Sequence, residues 1–126
     1  MNLIILSGNL TRDVELIETK SEWSILKWTI ANNDEYRDGQ TITSFIDCEC
    51  LTNKPQQYLT RMVKGAKVQV VGSVKQDTWE KDGQKRSKIK VTVQNRPFPQ
   101  IEFIAKRDDP VAVEVIDGPV DDNVPF

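Results

Sequence analysis

No histidine occurs in this 126-residue chain. Acid–base chemistry near neutral pH draws first on imidazole, so catalysis here would have to run on carboxylates or lysines. Cysteine is scarce as well: Cys48 and Cys50 are the only two. Two apart on a strand they share a face, which does not make an ordinary structural disulfide, and a zinc site needs about four Cys or His ligands. They are expected as small buried residues, with no metal and no other cofactor. No apolar run approaches the ~20 residues of a membrane span. The opening MNLIILSGNL has neither the basic stretch nor the apolar length of a signal peptide, so a cytoplasmic protein is expected. Nucleophile elbow, Walker loop and GxGxxG are all missing, and the chain is expected not to be an enzyme.

What is present is alternation. Leu3 to Leu6 reads as a buried strand broken by Ser7-Gly8-Asn9. From about Trp23 to Asn32, Leu26, Trp28 and Ile30 alternate with Lys27, Thr29 and Ala31, the period of a half-buried strand. Asp38-Gly39 then signals a hairpin. In the third strand, about Thr41 to Leu51, Ile42, Ile46, Cys48 and Cys50 share one face and Thr43, Phe45, Asp47 and Glu49 the other. Pro55 suits the first turn of a helix, Tyr58, Leu59, Met62 and Val63 follow at helical spacing, and Gly65 fits its stop. The fourth strand starts near Lys67, with Val68, Val70 and Val74 on one face. The fifth, about Arg86 to Val93, turns Ile89, Val91 and Val93 inward, and Asp82-Gly83 makes the hairpin between them. A short run, Ile101 to Ile104, closes the ordered part. The reading is all-β: a five-stranded OB-fold barrel with one short helix between strands 3 and 4, which an SH3-like barrel lacks.

The net charge of −2 hides an asymmetry. Residues 1–104 hold 15 Lys and Arg against 13 Asp and Glu; residues 105–126 hold 2 against 6. The body is mildly basic and the acidity is concentrated at the end. Residues 1–104 are expected as the folded domain. Residues 105–126, with three prolines and no convincing period, are expected as a flexible acidic tail.

Three aromatic residues stand where a core does not obviously use them. Phe45 lies on the outward parity beside Thr43 and Asp47; Trp79 shares the outer parity with Lys75 near a charged hairpin tip; Tyr36 sits between Glu35 and Arg37. Unpaired bases stack on such rings at ~1–3 kcal/mol each, and interleaved cations take the phosphates. Arg37, Lys64, Lys75, Arg86, Lys88 and Lys90 are the candidate cations. Each ring alone fits cross-strand packing as well, and each cation alone fits a solvated face. Trp28 belongs to the core or its rim by its period; Trp23 is undecided.

Several local motifs resemble the bacterial single-stranded DNA-binding proteins. They are Ile4-Ile5-Leu6-Ser7-Gly8-Asn9-Leu10 with Asp13, Tyr58-Leu59 through Lys64-Gly65-Ala66-Lys67-Val68, Val71-Gly72-Ser73, Trp79-Glu80-Lys81-Asp82-Gly83-Gln84, and the ending Asp122-Asn123-Val124-Pro125-Phe126. The match covers about residues 1–104 and the last six. It implies sequence-independent binding of single-stranded DNA in replication, recombination and repair, in the nucleoid, by a homotetramer paired partly through its first strands, with a dimer as the alternative. Tyr36 and Phe45 stand at family tryptophans that stack and Trp79 matches a third. Leu51 replaces a stacking Phe, and Asp47, Asn53 and Asp77 replace basic residues. Lys64 and Lys75 keep their charge. The brief tail, without a long Gly/Gln/Pro-rich linker, fits a compact phage- or plasmid-borne variant.

The tip has its own chemistry. Val124, Pro125 and Phe126 offer an apolar ring beside a terminal carboxylate, and Asp121 and Asp122 add steering charge, a combination that a pocket with a basic residue on a replication or repair protein would capture. Two other readings stay open. An OB-fold subunit of a primosome or recombination complex would bury Phe45 and Trp79 against protein. A nuclease would need a metal cluster, toward which Asp47 and Glu49 supply two carboxylates.

Overall fold

The computed structural model describes residues 1–105. Seven strands and one helical turn follow in the order β1 (Ile4–Leu10), β2 (Glu15–Glu18), β3 (Ser24–Glu35), β4 (Thr41–Thr52), α1 (Gln56–Leu59), β5 (Lys67–Lys81), β6 (Gln84–Val93) and β7 (Ile101–Ala105). Five of them pair in the circuit β1-β3-β4-β6-β5, and β5 returns to β1, so the sheet closes into a ring. All neighbours are antiparallel except β4 and β6, which run parallel over Asp47↔Lys90, Cys48↔Val91 and Glu49↔Thr92. A helix between the third and fourth strands of the ring, with that one parallel seam, is the OB arrangement.

Alternation decides what fills the ring. Leu10, Leu26, Trp28, Ile30, Cys48, Cys50, Val68, Val70, Val91 and Val93 all point inward and are buried. The two thiols are core atoms, as expected, and burial pushes both up to about 12. The helical segment closes one end: Tyr58 and Met62 are buried, and the chain crossing beneath them is tied down by Val14 N–H to Met62 O (2.9 Å), Gly65 N–H to Leu10 O (2.8 Å) and Lys64 N–H to the Asp13 carboxylate (2.8 Å). Pro55 occupies the N-cap with φ −63°, and Gly65 at φ +89° ends the segment. Only Gln56–Leu59 is α-helical; Met62 and Val63 lie in the turns that follow.

Four expectations need correction. Ser7-Gly8-Asn9 does not break β1, which runs on to Leu10. Gly8 is a close-approach glycine instead: a Cβ there would overlap the Ala31 carbonyl and the Ile30 side chain. Nor is that strand wholly buried, since Leu3 and Ile5 are exposed in the single chain. Ile42 and Ile89, placed inward by parity, are also exposed. They sit where the β3–β4 and β5–β6 hairpins extend beyond the core as two arms, and inward parity there meets no core. Finally β2, which pairs Glu15↔Lys27 through Glu18↔Ser24, and β7, which pairs with the start of β5, add two short strands to the five.

Candidate nucleic-acid interface

Two hairpin arms and the sheet face between them carry the candidate residues. The register of β3 and β4 is unbroken from Ser24↔Thr52 to Glu35↔Thr41, so Tyr36 and Arg37 fall in the turn at the arm's end. There Tyr36 N–H donates to Gln40 O (2.9 Å), Gly39 N–H donates to Tyr36 O (3.0 Å), and Gly39 adopts φ +83°. The second arm turns at Asp82 and Gly83, both at positive φ, as the Asp-Gly pair demands. Its register sets Trp79 opposite Arg86, Asp77 opposite Lys88, and Lys75 opposite Lys90.

The rings are open to solvent. Phe45 is 64% exposed, Tyr36 52% and Trp79 44%. Phe45 is on the outer face of β4, two residues before Asp47, and Trp79 is on the outer face of β5, two residues beyond Asp77. β6 lies between those strands, parallel to β4 and antiparallel to β5. Phe45, Trp79, Arg86 and Lys75 therefore share one outer face. Tyr36 and Arg37 stand at the edge of it, on the neighbouring arm. Lys64 does not join them: it sits at the end of the helical segment beside Asp13, on neither arm. Leu51, also exposed at 41%, lies further down the outer face of β4. Trp28 is core, 3% exposed, and Trp23, at 37%, lies in the turn before β3.

Charge on this face is largely paired. Lys88 is ion-paired with Asp47, whose other oxygen accepts from Thr29 Oγ1 (2.8 Å). Lys90 Nζ bridges Glu49 (3.1 Å) and Asp77 (2.9 Å). Burial pushes the Asp47 carboxyl up, yet the hydrogen bonds from Lys88 and Thr29 and the charges of Lys88 and Arg12 outweigh it, and the group ends below its ordinary value. Lys90 is raised, mainly by its bond to Asp77. The sequence marked Lys88 as a cation for phosphate; in the structure it already holds a carboxylate. These pairs run along an open groove of about 610 Å³ that continues to Arg12 and Lys27. Sequence reasoning missed Thr29, Arg12 and Lys27 as parts of it. The available signal was the matched outward parity of Asp47 and Glu49 with Lys88 and Lys90.

Flat rings spaced along an exposed sheet, with cations at the arms, suit a flexible polyanion with unpaired aromatic bases. Asp47 and Glu49, the two carboxylates a nuclease would need, are both engaged with lysines. The acidic tip, Asp121, Asp122, Val124, Pro125 and Phe126, lies outside the described residues.

Comparison with known proteins converges on one group. The family model "Single-strand binding protein family" matches residues 1–104. The single-stranded DNA-binding protein of Borreliella burgdorferi is 36% identical over 103 residues, covering 75% of this chain and 67% of the relative. That of Treponema pallidum is 30% identical over 98 residues, covering 75% and 56%, and that of Wolinella succinogenes 34% over 99 residues, covering 75% and 61%. The chain thus spans between 56% and 67% of the length of these relatives. Among solved structures, a chain of "Plasmodium falciparum SSB complex with ssDNA" superposes with a TM-score of 0.71 at 16% identity, over 82% of this chain and 95% of that one; at that identity the likeness speaks for the fold.

Proposed function

Because this chain belongs to the single-strand binding protein family, we propose that it coats single-stranded DNA without regard to sequence during replication, recombination and repair. The observation that carries this reading is the exposure of Phe45, Trp79 and Tyr36 on one face and arm system of an OB-fold. Bases stack on those rings; Lys75, Arg86 and Arg37 take phosphates, with Lys64 as an outlying cation and Lys88 held by Asp47. The reading assigns the chain no catalytic step. The competing interaction-subunit reading needs Phe45 and Trp79 covered, and within this chain both face solvent.

A tryptophan-fluorescence titration with oligo-dT tests it. Trp79 and Trp23 are accessible while Trp28 is buried, so stacking on Trp79 should quench part of the emission. Duplex DNA should respond weakly, and affinity should fall with salt. Absence of both quenching and binding would discard the coating role.

Two finer proposals accompany it. Self-association into a homotetramer is supported by β1: among the described residues, one edge of Ile4–Leu6 pairs with β5 while β3 reaches only Asn9 and Leu10 on the other. That leaves backbone donors and acceptors beside exposed Leu3 and Ile5. Light scattering should give four times the 14.4 kDa chain mass; a monomer mass at micromolar concentration would exclude it. Partner recruitment by the tip is the second. Deleting Phe126 is expected to leave oligo-dT affinity unchanged and to abolish pull-down of replication and repair proteins, and full recovery of those partners would sink the idea. A cytoplasmic, nucleoid-associated location goes with the same reading. Among the described residues no helix is long and apolar enough to cross a membrane.

A further inference from the structure

The ion-pair network on the outer face has a consequence for the ligand. Three carboxylates, Asp47, Glu49 and Asp77, engage two ammonium groups, Lys88 and Lys90, so the network carries a net charge of −1. Its wiring is diagonal. Lys90 stands opposite Asp47 in the β4–β6 register and Lys88 opposite Asp77 in the β5–β6 register, yet Lys88 bonds Asp47 and Lys90 bonds Glu49 and Asp77. Both oxygens of Asp47 are engaged, one by Lys88 and one by Thr29. A phosphate approaching Lys88 therefore meets an ammonium whose charge a fixed carboxylate already balances.

Resting on the single-stranded DNA reading above, we propose that Asp47 is an affinity-limiting residue. Its carboxylate stands in for phosphate at Lys88, so that this cation makes no counterion-releasing phosphate contact of its own in the native chain. Phosphate contacts gain free energy chiefly by releasing counterions condensed on the DNA, about 0.7 ion per contact on a single strand. A lysine already paired with a carboxylate offers the strand a neutral pair rather than a free cation. That carboxylate stays beside the DNA, and like-charge repulsion offsets a new contact. Phosphates then fall to the cations outside the network, such as Lys75 and Arg86.

The test is the salt dependence of oligo-dT affinity in the full chain. Asp47→Asn keeps the size of the side chain and an acceptor for Thr29 but releases Lys88. It should tighten binding at low salt by about three- to tenfold and steepen the slope of log K against log salt by ~0.7. Asp47→Glu should restore wild-type affinity and slope. Glu22→Gln, an exposed acid in the turn before β3, removes the same unit of net charge elsewhere and should change neither by that amount. Lys88→Gln gives an answer that does not depend on how Asp47→Asn folds. Alone it strips Asp47 of its partner beside the DNA and should weaken binding, yet it should leave the salt slope at the wild-type value, whereas Lys75→Gln should weaken binding and flatten the slope by ~0.7. Combined with Asp47→Asn it should erase the gain.

A folded Asp47→Asn protein with wild-type affinity and slope overturns the inference. So does a Lys88→Gln variant whose salt slope flattens as much as that of Lys75→Gln. Both leave the DNA reading standing, because wild-type binding is measured in the same titration. A wild-type chain that ignores oligo-dT overturns both together.

Discussion

Removing the rings of Phe45 and Trp79 together is expected to weaken oligo-dT binding by about 2–6 kcal/mol, from ~1–3 kcal/mol per stacked base. In affinity that is roughly 30-fold to more than 10⁴-fold. The two side chains lie on different strands, β4 and β5, with β6 between them, so their losses should be close to additive. Neither belongs to the core cluster, and the variant should melt within a few degrees of wild type. Anisotropy of a labelled oligonucleotide is the appropriate readout, because Trp79→Ala deletes the reporting fluorophore itself. The single variants separate the contributions. Each should weaken binding by about 1–3 kcal/mol, and neither should alter the salt slope much, since stacking releases few counterions. A folded double variant that binds as tightly as wild type would remove the aromatic face from the site and return Phe45 and Trp79 to cross-strand packing.

The parities that expose those rings were readable in the sequence because β3 as far as Ile30, β4 and the body of β6 alternate; Ala31, outward by parity, is nevertheless buried where β1 pairs with it. Leu26, Trp28 and Ile30 are buried as their spacing demands, and Phe45 and Asp47 face outward for the same reason. Alternation, however, reports only the side of a strand. Ile42 and Ile89 have inward parity but lie on arms that have outgrown the core, so depth could not be inferred for them. β2 escaped because Glu-Leu-Ile-Glu is four residues long and does not alternate. Gly8 was misread because a glycine that permits a turn and one that permits close approach look identical in a string of letters; the Ala31 carbonyl above it distinguishes them. Parity put Lys88 and Asp47 on the same side, but that they pair was out of reach for a different reason. It depends on which two strands meet at the parallel seam, residues 47 and 88 being joined by long-range topology rather than local pattern. The candidate face was therefore legible in its aromatic residues and illegible in its charge state.

Gly72→Ala is expected to destabilise the domain by about 3 kcal/mol, the upper part of the usual range for forcing atoms into a well-packed interior. For a domain of about 100 residues that is a melting point lowered by roughly 12–24 °C. Gly72 is where β5 pairs with Ile4 of β1 on one edge and Val93 of β6 on the other. An added Cβ would overlap the Thr92 carbonyl oxygen and come within 2.9 Å of both Thr92 C and Val93 Cα. All three are backbone atoms, so no rotamer change relieves the overlap and β6 itself must shift. Gly83→Ala is the informative contrast. That position has φ +77° but nothing within 4 Å of the new methyl, so its cost is the left-handed backbone alone, about 1–2 kcal/mol. If the two variants melt together, backbone overlap at Gly72 is not what the close approach implies. If Gly72→Ala melts far lower, the same β5–β6 junction that closes the ring also anchors the arm bearing Trp79. Its folded fraction at low temperature should still bind oligo-dT, because Gly72 lies on the inner face, away from the exposed rings.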